Sequence, residues 1–475
     1  ERMWKAKFSH PGVVRQEVEE LRVLDVPLFT SRPGTDALDL HGAAPVPAFF
    51  QGSALAAIRR RLGDLTHSTD AGERDAVRGA LAVVAPEHPV PLRAPVSPVE
   101  PSYGSTEAFL DAATRIGSDV LELAFDAGDG PAWAGLHYHA QHDAWHVGLL
   151  PDDTLSGACG LAMLFGDLHR LGASDRFSGA ARVLRERFIT RLEGFRQAPP
   201  PVPGAPFCGG LVGWGAWLHA LSHGAQTPDG ERMLDRGLDA FARLPLEQAN
   251  GAPTDFACGR AGLLAALVAA RVAADGPLAG FVADQVDRLT AALTASWEPG
   301  QGAYPAGART LALVPSGRDG VALALARAAA AGLAPLDAVR AWIASAPPAE
   351  TSGAHIARLA IVRLHPALAD VSAVVDAARI FADSVDAQAA TPDWLEGAEV
   401  ALALHATTGD AADLARAREI GGWMLDRRAA HGAWFPDRLA PDSINLSAIR
   451  GVAALAHLFT RLHAPDQVGS IRVME

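Results

Sequence analysis

A glycine step followed at once by an apolar helix recurs along this chain, and the recurrence limits the folds open to it. The step stands in GACGLAMLF at 157–165, GLVGWGAWLHAL at 210–221, GRAGLLAALVAA at 259–270 and GRDGVALALARA at 317–328. Weaker copies are GAEVALALHA at 397–406 and AIRGVAALAHLF at 448–459, and an eroded one is HIARLAIVRL at 355–364. Successive copies are 53, 49, 58, 38, 42 and 51 residues apart, the length of a helical hairpin with its loops. Second, amphipathic helices lie between them. One is read over 280–297, with Phe281, Val282, Val286, Leu289, Ala292 and Leu293 on its apolar face.

Each unit therefore reads as outer helix, loop, inner helix. The inner helices are apolar almost all round and must be buried on every side. Seven such helices favour a closed α/α toroid over an open solenoid, with the glycine loops gathered at one end around a central cavity. The expectation is an all-α chain: a toroid of seven helical-hairpin repeats over 105–475, preceded by a mostly helical extension.

The upstream part is mixed. LDVPLF at 24–29 reads as a short extended piece before a turn. A helix over 53–65 follows, capped by Ser53, with Leu55, Ile58, Leu62 and Leu65 on one face. Prolines at 86, 89, 91, 95, 98 and 101 forbid both helix and central strand. Hence 1–85 is read as one domain and 86–104 as a linker.

A formal charge of −13 argues against a nucleic-acid binder, because phosphate contacts need a basic face. It is compatible with a basic peptide partner. Three cysteines in 475 residues make no disulfide framework, which points to a reducing cytoplasm. No apolar run is long enough to span a bilayer. The opening ERMWKAKF has no Met at position 1 and no apolar signal core, so it is not expected to be the native beginning.

The residues resemble the class II lanthionine synthetases, whose C-terminal domain is a lanthionine cyclase. DDTLSGACGLAMLFGDLHRLGASDRF at 152–177 is similar to the first repeat of that toroid, and DFACGRAGLLAAL at 255–267 to the third. INLSAIRGVAALAHLFTRLHAPDQVGSIRVME at 444–475 resembles its closing helix and tail. Upstream, EVEELRVLDVPLFTSRPGTDAL at 17–38 and PAFFQGSALAAIRRRLGDL at 47–65 resemble the end of the preceding dehydratase domain. The resemblance implies the C-terminal part of such an enzyme, or a split form of it. It implies a ribosomal precursor peptide as partner, with a dehydratase domain in cis or in trans. The dehydratase phosphorylates Ser/Thr and eliminates phosphate; the toroid adds Cys thiols to the dehydroamino acids, with zinc holding the thiolate.

At the zinc positions this sequence departs from the family. The resemblance places a Cys where Gly353 stands, and a Cys-His pair where Leu395 and Glu396 stand. It places a His, a candidate acid/base, where Ser316 stands. Gly, Leu and one Glu cannot supply the thiolate and imidazole ligands that zinc needs, so no cofactor is expected. The resulting reading is a degenerate cyclase toroid that binds or orients the peptide, or braces the dehydratase.

Three alternatives stand beside that reading. A relocated zinc site would use Cys159, Cys208 and Cys258, all in or beside glycine loops, although small buried cysteines in tight loops explain them equally. A metal-free cyclase would use Glu396 or His355 as base. A carbohydrate-active toroid would pair carboxylates among Asp255, Asp319, Asp393, Glu396 and Glu399 with Trp214, Trp217 or Trp394. Asp255, Trp214, Asp319 and Trp394 are the candidate binding residues at the mouth. His137, His139, His142 and His146 in LHYHAQHDAWH have metal-like spacing, but alternation on a hairpin accounts for them as well.

Overall fold

The computed structural model describes residues 10–22, 29–40, 44–65, 105–139, 144–155, 157–195, 210–244, 253–273, 278–296, 315, 317–337, 339–340, 348–368, 370–435, 442, 445–449 and 451–474. The chain divides into two compact units, Glu1–Arg74 and Asp75–Glu475. That division falls ahead of the prolines at 86–101, which lie outside the described residues.

The first unit holds helix α1 (Pro11–Arg22), an antiparallel pair β1 (Phe29–Ser31) and β2 (Leu38–Leu40), and helix α2 (Ala54–Leu65). Ser53 caps α2 as its sequence predicts, its Oγ accepting from the backbone N of Ala56 at 3.1 Å. Of the extended piece read at 24–29, only Phe29 is among the described residues, and it opens β1.

The second unit is mostly helical. It begins with α3 (Thr106–Glu122), a short pair β3 (Phe125–Asp126) and β4 (Pro131–Ala132), and a hairpin β5 (Ala134–His139) and β6 (Ala144–Leu149). After these come α4 (Ala158–Arg170), α5 (Asp175–Phe195), α6 (Trp214–Gly224), α7 (Pro228–Ala242), α8 (Arg260–Ala273) and α9 (Ala279–Ala295). The remainder is α10 (Gly317–Ala330), α11 (Ser352–Leu364), α12 (Val371–Ser384), α13 (Thr391–Thr408), α14 (Ala411–His431) and α15 (Val452–His463).

All seven apolar segments are helical, and they pack in order: α4 on α6, α6 on α8, α8 on α10, α10 on α11, α11 on α13, α13 on α15. Helix α15 also packs on α4, so the order of neighbours returns to its start. Burial matches the composition. From Ala158 to Phe165 every residue of α4 is buried, and Ala261–Val268 of α8 is buried throughout. The second helices are one-sided: α7 buries Gly230, Met233, Leu234, Gly237, Leu238, Ala240 and Phe241 and leaves Glu231, Arg232, Asp235 and Arg236 exposed.

The pairing of second helices refines the unit read from sequence. Helix α5 lies on α4, α7 on α6, α9 on α8 and α14 on α13, so each packs mainly on the inner helix before it. Helix α12 lies between α11 and α13. The leftover α3 packs on α15, where Phe109 stacks on Phe459 with centroids 5.8 Å apart. The two ends of the unit are thereby held together by a contact worth about 1 kcal/mol beyond its area.

Local signals set the helix starts. Thr227, Thr351, Asp370 and Asp410 cap α7, α11, α12 and α14 through their side-chain oxygens. One expected glycine mouth is displaced. Gly397 lies inside α13, which starts at Thr391, and a Cβ there would come within 2.8 Å of Val385 Cγ2. That glycine serves close packing between helices, and Glu396 therefore sits on a helix turn instead of in an entry loop.

Candidate functional site

The loops entering the first inner helices converge. The backbone N of Thr154 donates to Leu211 O at 2.8 Å, and that of Leu211 to Ala257 O at 3.0 Å. Ser447 Oγ, ahead of α15, donates to Leu155 O at 2.7 Å. Such proximity requires glycine: a Cβ on Gly262 would lie 2.4 Å from Gly210 N. The Asp152 carboxylate anchors this end, held by Arg187 at 2.9 Å and by Arg191 of α5, while its carbonyl accepts from Trp217 Nε1 at 2.6 Å.

The residues proposed for this mouth have local structural partners. Asp255 Oδ1 accepts from the backbone N of Cys258 at 2.8 Å, bracing the turn into α8, and burial raises its pKa. Asp319 pairs with Arg358 at 2.8 Å, and burial raises it above the ordinary range despite that partner. Trp214 is buried edge-on against Phe241. Trp394 is buried too; its Nε1 donates to Asp386 O at 2.7 Å, and Arg427 lies 3.6 Å over its ring. Asp393 is exposed in the first turn of α13.

Glu396 Oε2 accepts from Ser352 Oγ at 3.1 Å. His355 is buried beside Phe381, and burial, then Arg358, lowers its pKa to about 4. At neutral pH it is an uncharged imidazole and a weak base. Glu399, expected from sequence among the mouth carboxylates, is buried and bound to Arg461 and Arg472.

Of the three cysteines, Cys208 and the Ser316 position lie outside the described residues. Cys159 is fully buried, and Cys258 nearly so. Burial pushes both thiols up, well above the usual value for Cys159 and to about 12 for Cys258, with nearby carboxylates adding to the effect. Leu395, where the resemblance puts a ligand, is fully buried among apolar neighbours. Among the described residues no three His, Cys, Asp or Glu side chains come together in a way fit to hold a metal ion. The hairpin register sets His137 opposite His146 and Tyr138 opposite Trp145; His142 lies outside the described residues.

Sequence reasoning missed the polar residues carried by the inner helices themselves. Asp167 of α4 is fully buried. It accepts from Arg170 at 2.5 Å, has His223 Nε2 at 3.0 Å and has His457 Nδ1 at 3.7 Å. Burial alone would raise its pKa, but His223, then His457 and Arg170, hold it below the ordinary range. His457 Nε2 donates to Gly160 O at 3.1 Å. His219, one turn before His223, is buried and lowered to about 3, first by burial and then by His223 and Arg327.

The chain's tail joins this polar interior. Val468 and Ser470–Met474 are buried, and Arg327 of α10 donates to Met474 O. Arg472 donates to Ile449 O at 3.2 Å and reaches Glu399. The available signal was polarity out of place: Asp167, His219, His223, Glu399 and His457 interrupt segments that are otherwise apolar.

No protein-family model matches the chain. No curated protein matches it significantly either. No helix among the described residues is long and apolar enough to cross a membrane.

Proposed function

We propose that this chain is a cytoplasmic protein of the class II lanthionine-synthetase type whose cyclase toroid has lost zinc chemistry and binds a dehydrated ribosomal precursor peptide. The neighbour order of the inner helices, returning from α15 to α4, supports an α/α toroid of seven units. The converging backbones at Thr154, Leu211 and Ala257 support a common mouth for the glycine loops.

The observation that carries the reading lies at the positions of the family's metal ligands. Gly353 offers no side chain, Leu395 is buried among apolar neighbours, and Glu396 is engaged with Ser352. A thiol held there would have no metal to lower its pKa, so thiolate would form only to the small extent set by the bulk pH. Peptide retention beside a dehydratase, in cis or in trans, remains within reach of such a domain; zinc-dependent ring closure does not.

The test uses a peptide carrying one dehydroalanine and one cysteine, followed by thiol alkylation and mass spectrometry with and without zinc. The expected outcome is saturable binding by fluorescence anisotropy, with the thiol remaining alkylatable at the rate seen without protein. Zinc-dependent loss of the free thiol would overturn the degenerate-site reading. Absence of binding would overturn the peptide role.

A further inference from the structure

Two cavities open where the inner helices end, opposite the glycine loops. The first is about 530 Å³, walled by Val268, Val272, Ala330, Leu364 and Met474. Val272 is 74% exposed and Ala330 is exposed as well, so this space is reached from the surface. The second is about 480 Å³ and is lined by Arg170, Arg363, His405, Arg461 and Asp466. His223 at the end of α6 and Gln226 in the turn after it line both. An apolar chamber and a cationic chamber thus share one wall.

Neither chamber is explained by packing alone. Arg170 and Arg461 each leave a buried Nε without a hydrogen-bond partner, although their other nitrogens reach Asp167 and Glu399. His219, on the wall of the apolar chamber and 2% exposed, has a partnerless Nδ1. Buried polar atoms left unpaired are destabilising, and a bound molecule that reaches them removes that cost. The lining charges favour an anionic group. Arg170, Arg363 and Arg461 line the second cavity together with one carboxylate, that of Asp466, while Asp167 and Glu399 pair with Arg170 and Arg461.

We propose that the paired cavities bind a monoanionic amphiphile, its apolar chain lying between α6, α8, α10 and α11 and its carboxylate meeting Arg363, Arg170 and Arg461. The volume and apolar walls suit a chain of decanoate size, and a few convergent donors suffice to orient it. The carboxylate gains charge-assisted hydrogen bonds from guanidiniums that already point into a partly enclosed space. This site is independent of any peptide at the glycine-loop mouth.

Calorimetric titration of the full chain with decanoate, decanol and hexanoate tests the proposal. Decanoate should bind saturably at one site, and both decanol and hexanoate should bind about tenfold or more weakly, the first lacking charge and the second apolar area. Arg363→Ala should bring decanoate down to the affinity of decanol while leaving decanol unchanged. Val268→Trp should abolish binding. Ala330→Trp, at an exposed position of the entrance, should do so without touching the core, which keeps the test decisive if the first variant fails to fold. Absence of saturable decanoate binding to the wild type would overturn the proposal. So would undiminished binding to a folded Ala330→Trp protein, or an equal loss of decanol and decanoate in Arg363→Ala.

Discussion

Arg472 of the C-terminal tail lies with its Nε 3.5 Å from Oε1 of Glu399 in α13, the two side chains 1% and 4% exposed. Arg461 of α15 binds the other oxygen of the same carboxylate. One buried anion therefore ties the tail to two neighbouring inner helices. Burial alone would raise the Glu399 pKa, but Arg461, then Arg472, outweigh that and hold it below the ordinary carboxylate range.

Replacing Glu399 by Ala should take away the carboxylate that the buried Arg461 and Arg472 share and cost about 3–5 kcal/mol. Arg472→Met keeps the Glu399–Arg461 pair and substitutes an apolar chain of similar reach, so its loss should be less than half as large. Urea unfolding of both variants checks the ranking; equal losses would mean that Arg472 holds the tail by some other contact.

Stability should decline on acidification in two stages. His219 is lowered from 6.5 to about 3 and His355 to about 4, and His457 is lowered as well. For a depressed histidine the unfolded chain takes up a proton below pH 6.5 while the folded one does not. Stability is thus fully present above 6.5 and falls by about 1.4 kcal/mol per pH unit for each such group. Asp167 and Glu399, whose folded pKa values are lowered, add a second loss as pH falls below their unfolded values towards their folded ones. Unfolding at pH 5 should therefore absorb protons, and His219→Phe should reduce that uptake by about one. A flat profile between pH 7 and pH 5 would count against the buried neutral histidines.

The helical units were legible because their evidence is periodic. Inner segments such as LAMLF and LLAALVAA admit no solvent face, and the steps between copies match hairpins. Ser53 was likewise readable as a cap, since that chemistry is local. The chemical interior was not legible. Asp167, His223 and His457 are separated by up to 290 residues, and only the packing of α6 and α15 on α4 brings them together. Conversely, Asp255 and Trp394 looked functional in sequence because nothing there reveals that a turn amide and Arg427 already engage them.

Gly262 should tolerate no side chain. It stands in the first turn of α8, where a Cβ would meet Phe256 O at 1.8 Å and Gly210 N at 2.4 Å, both backbone atoms that cannot swing away. Gly262→Ala should force the converging loops apart and cost about 2–3 kcal/mol. Gly280→Ala makes the control: a Cβ there meets nothing within 4 Å, and a helical Gly-to-Ala change should stabilise by about 0.5–1 kcal/mol. Thermal unfolding of the two variants should shift in opposite directions.

His219 and His223 sit one turn apart on α6 and should respond oppositely to the same substitution. His223 gives Asp167 one of its donors, at 3.0 Å, so His223→Phe leaves a fully buried carboxylate short of a partner. The expected loss is about 1–3 kcal/mol. His219 holds a buried Nδ1 with no partner, so His219→Phe removes a polar atom that the fold does not satisfy and keeps an aromatic ring in the cavity wall. The expected gain at pH 7 is about 1 kcal/mol or slightly more. Urea unfolding with an unchanged slope would read both effects as native-state energies. If His219→Phe destabilised as strongly as His223→Phe, the imidazole would be a satisfied core group with no need of a ligand at its nitrogen.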